Sequence, residues 1–152
     1  MDKFTIADQV GQEKVLQVLP KIFSGCTIVY EQHIEDKGRV DIELTATTSS
    51  GNNYKYAIEC KDRTYKSTDY DTWMLEWQKY NDLMKYEERG YKPIYINTFS
   101  DNKYLVWDVR KTPIIRKSYT TNKTTVEDSG KITKVRYMLP TSGCCYSGVI
   151  LS

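Results

Sequence analysis

Two alternating runs, VDIELT at 40–45 and YKYAIECK at 54–61, constrain the fold of this 152-residue chain more than any other feature. In the first, Val40, Ile42 and Leu44 alternate with Asp41, Glu43 and Thr45; in the second, Tyr54, Tyr56, Ile58 and Cys60 alternate with Lys55, Ala57, Glu59 and Lys61. A period of two marks a strand with one face turned to a core. The spacer between them, TTSSGNN at 47–53, is rich in turn-forming residues, so the pair predicts a β-hairpin. Pairing symmetric about Ser50, the centre of the spacer, sets Asp41 opposite Glu59. Lys61 falls on the same face as Glu59, because successive side chains alternate. Directly opposed residues have Cβ atoms about 4.5–5.5 Å apart, so Asp41, Glu59 and Lys61 converge on one patch while Ile42, Ile58 and Cys60 face the other way.

Two carboxylates set against each other in a sheet repel, and something has to compensate them. A divalent cation does so, since one or two carboxylates completed by water are the usual protein contribution to a magnesium site. Lys61 then supplies a donor to a phosphate or to an attacking water. Together these groups suit metal-assisted phosphodiester hydrolysis, in which the ion polarises the phosphoryl group and acidifies a water. The plainer alternative is a solvated face on which Lys61 neutralises one acid.

Around the hairpin, Val15, Val18, Leu19 and Ile22 recur at helical spacing. They predict a first helix that Thr5 or Asp8 caps and Pro20 ends or kinks. CTIVYEQH at 26–33 reads as a strand. A second helix is expected over 71–90, with Trp73, Trp77, Tyr80 and Met84 as its stripe, Leu83 beside it, Asp69 or Asp71 at its start and Gly90 at its end. KPIYINTF and KYLVWDV give two more strands around the turn SDNK. Beyond Arg110, SYTTNKTTVEDSG reads as a loop, KITKVRYMLP as one further strand and GVIL as a strand closing the sheet. No linker divides the chain, so a single domain over 1–152 is expected, with a core over about 5–109 and a C-terminal extension over 110–152.

No segment approaches the ~20 apolar residues of a membrane span, which gives an expectation of a cytoplasmic protein with no membrane partner. Cys26, Cys60, Cys144 and Cys145 lack metal or disulfide spacing and are expected as free thiols. Charge is unevenly spread. Residues 1–109 carry 14 basic and 18 acidic side chains, whereas 110–136 carry eight basic and two acidic. A basic segment on an acidic body points to an anionic partner such as nucleic acid; a solvated arm is the alternative.

VDIEL followed by IECK, within the order helix, three strands, helix, two strands over roughly residues 5–109, resembles the PD-(D/E)XK nuclease superfamily, and small phage-encoded members in particular. The resemblance implies an α/β, restriction endonuclease-like mixed β-sheet flanked by helices. It implies an Mg2+-dependent endonuclease (Mn2+ serving as well) acting on DNA ahead of RNA, in the host-cell cytoplasm if phage-encoded. Asp41 and Glu59 would bind the metal with the Cys60 carbonyl, and Lys61 would orient the attacking water. Glu13 is the match to an acid that many members add from the first helix. Glu76, Gln78 and Lys79 are the candidates for a polar residue contributed by the second helix, Glu76 as an auxiliary group and Gln78 and Lys79 toward nucleic acid. Lys111, Arg116 and Lys117 would hold phosphates. A homodimer is compatible with it, since many members pair to cut both strands. The chain departs from the family pattern in having Val40, not Pro, before Asp41. A catalytically inactive nucleic-acid-binding or protein-interaction module on the same fold is the second expectation.

Overall fold

The structure, a computed structural model, describes residues 3–34, 38–122 and 130–151. The chain runs α1 (Lys3–Ile22), β1 (Thr27–Gln32), β2 (Ile42–Thr47), β3 (Asn53–Asp62), β4 (Thr72–Glu76), α2 (Trp77–Glu88), β5 (Lys92–Thr98), β6 (Lys103–Asp108), β7 (Ile115–Asn122), β8 (Lys131–Pro140), a single 3-10 turn (Thr141–Gly143) and β9 (Tyr146–Val149). The described residues thus form a mixed α/β fold with two α-helices and nine strands.

The hairpin takes the register that its spacer dictates. β2 and β3 pair antiparallel from Ile42↔Ile58 to Thr47↔Asn53, a ladder symmetric about residue 50. Thr48 and Asn52 close the loop with a backbone bond of 2.9 Å, and Gly51 takes the left-handed φ of 88° that the turn requires. From the hairpin a six-stranded sheet extends in the order β1-β2-β3-β5-β6-β9, with β3 and β5 parallel and the other pairs antiparallel. A parallel step needs a crossover connection, which here carries β4 and α2.

The pleat of β3 divides the core in two. Ile58 and Cys60 join Ile42, Leu44, Ile94, Ile96 and Val106 under α1, where Val15, Val18 and Leu19 are fully buried. Ala57 points to the opposite face with Tyr95, Leu105 and Trp107, where Leu83 and Tyr86 of α2 pack with Trp73 and Leu75 of β4 and Leu139 of β8. Gly11 lets α1 descend onto the end of β3: a Cβ there would meet the Asp62 Cβ at 3.3 Å. Lys14 anchors this approach on Asp62 at 3.0 Å.

Several expectations change. Residues 72–76 are a strand, not the start of a helix. Trp73 and Leu75 face inward while Met74 and Glu76 face outward, and the segment forms a second, three-stranded sheet with the tail in the order β4-β8-β7. The spacing of Trp73, Trp77 and Tyr80 satisfies a helix, but TWMLE also satisfies a period of two, and the β8 ladder decides between them. Trp73 packs edge-on against Phe99 at 4.7 Å, whereas Trp77, on α2, is 42% exposed and not core. Asp69 and Asp71 therefore cap nothing at α2. Its N-cap is Glu76, without a side-chain hydrogen bond, and Asp69 instead accepts from the Lys66 N–H at 2.8 Å. Gly90 ends the helix at a φ of 92°, as its position suggested. Thr5 and Asp8 lie inside α1, which begins at Lys3, and Pro20 sits in its last turn.

In the tail, β7 occupies residues expected as a loop. Its Ile, Tyr and two Thr are β-formers, and β8 provides a partner. The rest of that stretch, 123–129, lies outside the described residues. β9 adds to the long sheet beside β6. All four cysteines are free, Cys145 exposed and the others half-buried. Among the described residues no helix is long and apolar enough to cross a membrane.

Candidate functional site

The second turn of α1, the start of β2, the end of β3 and the start of α2 meet around a cleft of about 200 Å³. Its walls include Asp8, Asp41, Glu59, Lys61, Arg63 and Lys79, with Met74 and Glu76 of β4 along one rim.

Asp41 sits one residue before β2 and is held on every side. Its backbone carbonyl accepts from the His33 N–H at 2.8 Å. Its Oδ2 accepts from the Cys60 N–H at 2.8 Å, and its Oδ1 from Gln12 Nε2 at 3.3 Å. Gln12, only 1% exposed, is locked in turn: Nε2 also donates to the His33 carbonyl at 3.1 Å, and Oε1 accepts from Gln32 at 3.2 Å. Each Asp41 oxygen has one protein donor, so lone pairs remain for a further ligand.

Glu59 is the anomaly. It is 1% exposed, and neither carboxylate oxygen has a hydrogen-bond partner. The Lys79 ammonium lies 3.5 Å from Oε2, near enough for attraction but not for a formed hydrogen bond. An ionised carboxylate so placed is strained by desolvation. Burial first, and then the charge of Asp41, push the Glu59 carboxyl well above the usual carboxylate range. Burial also raises Asp41, opposed by Lys79 and by the Cys60 N–H. For Lys79, burial acts to lower its affinity for a proton, but the charges of Glu59 and Asp41 outweigh burial and hold the ammonium above its ordinary value. Without a cation the two acids thus tend to keep a proton between them.

The hairpin face holds Asp41, Glu59 and Lys61 in one cleft, with Lys61 exposed at its mouth. Lys79 and Glu76 also line it, as does Cys60, whose thiol turns toward the α1 core. The other expected residues lie elsewhere. Glu13 is exposed on the adjoining face of α1, where it accepts from Gln9 at 3.4 Å. Gln78 is exposed and donates to Asp82 at 3.2 Å. Lys111 borders a different hollow, beside Phe23, Tyr56 and Ile94. Arg116 borders a third, with Trp77 and Tyr137. Lys117 pairs with Arg136 on the second sheet.

Asp8, Arg63 and Tyr95 line the cleft and Gln12 holds Asp41, and none of the four was expected as a site residue. Gln12 and Asp8 continue the α1 stripe one and two turns back from Val15, so extending the apolar period into polar residues would have found them. Arg63 continues the alternation of Glu59 and Lys61. Its guanidinium holds Asn97 Oδ1 at 2.8 Å, the Tyr95 hydroxyl at 3.1 Å and the Met74 carbonyl, tying β4 to the end of β3. Tyr95 stands beside Glu59 in the parallel ladder and donates to the same carbonyl at 3.0 Å; no sequence signal marked it.

A second group of metal-ligating type, Glu31, His33 and Glu43, lies on β1 and β2. His33 Nε2 and Glu43 Oε2 are 2.7 Å apart, with Arg39 Nη1 at 3.4 Å from Nδ1. His33 and Glu43 satisfy each other, in contrast to Glu59.

Comparison with family models, with curated proteins and with solved structures gives no match.

Proposed function

We propose that the chain is a divalent-metal-dependent phosphodiesterase of nucleic acid, built on a restriction endonuclease-like arrangement. The observation that carries this reading is Glu59: a buried carboxylate with no donor on either oxygen, set against a second carboxylate at the end of a cleft. Its donor set, two acids and a backbone carbonyl at Cys60, is the hard-oxygen chemistry that magnesium or manganese takes. Asp41 and Glu59 would hold the ion, and Gln12 and the Cys60 N–H would orient Asp41 toward it. When bound, the ion supplies positive charge to the scissile phosphoryl group.

The chain's own groups do the rest. Lys61, at the mouth, donates to a phosphate oxygen and holds a water in line for attack. Lys79 offsets the negative charge of the acid pair and keeps its proton throughout the neutral range. Arg63 and Tyr95 fix the wall behind Glu59, so that the carboxylate stays in place when it ionises. DNA is the proposed substrate.

A second reading has its own support. The Lys79 ammonium already stands near Glu59, and both Asp41 oxygens are engaged, which a metal-free binding module would also show. Cleavage of duplex, single-stranded and branched DNA and of RNA, measured in magnesium, manganese and EDTA, separates the two. The enzyme reading requires metal-dependent cleavage that Glu59→Gln abolishes and Lys61→Ala lowers about 10²–10³-fold; equal activity in EDTA or in those variants removes it.

A further inference from the structure

β8 reaches farther than the strand that anchors it. β4 pairs with β8 only over residues 136–140, yet β8 begins at Lys131 and pairs with β7 from Met138 down to Asn122↔Lys131. The two strands therefore continue past the edge of β4 as a two-stranded ribbon for five residues, about 16 Å at 3.3 Å per residue, with Trp77 and Asn81 of α2 bordering it at Thr133, Lys134 and Val135.

The ribbon has a single sign of charge. Its strands carry Arg116, Lys117, Lys131, Lys134 and Arg136 and no acid. One face of it is continuous with the cleft. Cross-strand partners share a face, so the register places Glu76, Arg136 and Lys117 in one row and Met74, Met138 and Ile115 in the next. Met74 and Glu76 are also rim residues of the cleft. Side-chain geometry agrees with the register: Arg136 Nη1 reaches the Met74 sulfur at 4.0 Å, and its guanidinium lies over the Tyr119 ring at 4.9 Å. Lys134 stands opposite Tyr119, farther out along the same face. The Arg136 Nε is buried and has no acceptor.

We propose that this β7–β8 ribbon is a grip for B-form duplex DNA, entering the major groove while Arg136, Lys117 and Lys134 take phosphates beside the cleft. The shape argues for the duplex. The major groove of B-DNA, about 12 Å wide, admits a two-stranded β-ribbon, whereas that of A-form RNA is too deep and narrow for side chains to read. The charge argues for phosphates, since every side chain on the two strands that is charged at neutral pH is cationic. The inference deepens the phosphodiesterase reading by naming its substrate form, but it makes its own claim, because binding through the ribbon needs neither metal nor turnover.

The test is binding of a 20-base-pair DNA duplex, its single strand and the matching RNA duplex to the full chain in EDTA, across a salt series. The expected order places the DNA duplex tightest. Lys117→Ala with Lys134→Ala, both on the solvent-facing side of a formed ladder, lowers the slope of log K against log salt by about 1.8, at about 0.9 for each phosphate no longer neutralised. Arg136→Lys, which keeps the charge but loses the fork, weakens binding with a smaller change of slope. An unchanged slope in the double variant, or tighter binding of single strand or RNA duplex, overturns the proposal. Cleavage failing while the slope change holds would remove the enzyme reading and leave the ribbon standing.

Discussion

Replacing Glu59 by Gln should stabilise the metal-free protein, against the usual rule that buried charges are best left alone. The carboxylate is 1% exposed with both oxygens unpartnered, and an unsatisfied buried group costs about 1–3 kcal/mol, more when charged. The opposing effect is removal of the Lys79 ion pair, at 3.5 Å to a side chain that is itself 43% exposed; a pair of that kind contributes at most about 1 kcal/mol. Lys79 keeps the nearby charge of Asp41, and the new amide can donate to Asp41. Desolvation wins. At pH 8 in EDTA the variant should gain about 1–3 kcal/mol, or roughly 3–9 °C in Tm at about 3 °C per kcal/mol for a chain of this size. The pH dependence has a definite sign. Glu59 binds its proton more tightly folded than unfolded, so its contribution is fully present below the unfolded value of 4.5 and is lost as pH rises through the raised folded value. The gain of Glu59→Gln should therefore shrink toward pH 4. Magnesium should stabilise the natural protein, by about 2.7 kcal/mol at a hundred times its dissociation constant, and leave the variant unmoved. Calorimetric melting of both proteins at pH 4 and 8, with and without magnesium, reads all of this. A variant less stable than the natural chain at pH 8 in EDTA would refute the reasoning.

Other outcomes follow from the same geometry. Lys61→Ala should leave the stability within about 0.5 kcal/mol of the natural chain, as for an exposed side chain, while cleavage falls about 10²–10³-fold, measured by single-turnover kinetics. Gln12→Ala should cost about 1–3 kcal/mol by stripping three hydrogen bonds, one buried and two part-buried, and weaken metal binding about 10–100-fold, whereas Glu13→Ala, one residue away, should change neither; parallel denaturation and metal titrations compare them. Trp73→Ala should cost about 3–5 kcal/mol and Trp77→Ala under about 1 kcal/mol, a contrast that urea unfolding resolves.

How much of this was legible depends on whether a signal is local. The hairpin was, because pleat alternation and a turn-rich spacer fix register within twenty-odd residues; the ladder from Ile42↔Ile58 to Thr47↔Asn53 is the one that symmetry about Ser50 requires. The placement of Asp41, Glu59 and Lys61 in one cleft follows from that register alone. What was hidden depended on distant partners. TWMLE at 72–76 satisfies two periods at once, and only β8, some sixty residues later, selects the strand. SYTTN, at 118–122, looks like a loop until β8 lies beside it, because Thr and Ser serve turns and strands alike. Glu13 drew attention as an acid on the first helix, but the face of α1 that reaches Asp41 is set by Gly11 and the Val15–Leu19 stripe, and that face presents Asp8 and Gln12.

The central claim is that Asp41 and Glu59 form one site for a divalent cation. Calorimetric titration of the metal-free protein with manganese tests it most directly. The account predicts one ion per chain in the natural protein, and loss of that site in both Asp41→Asn and Glu59→Gln. Heat no greater than dilution in the natural protein, or the same stoichiometry in both variants, would contradict it.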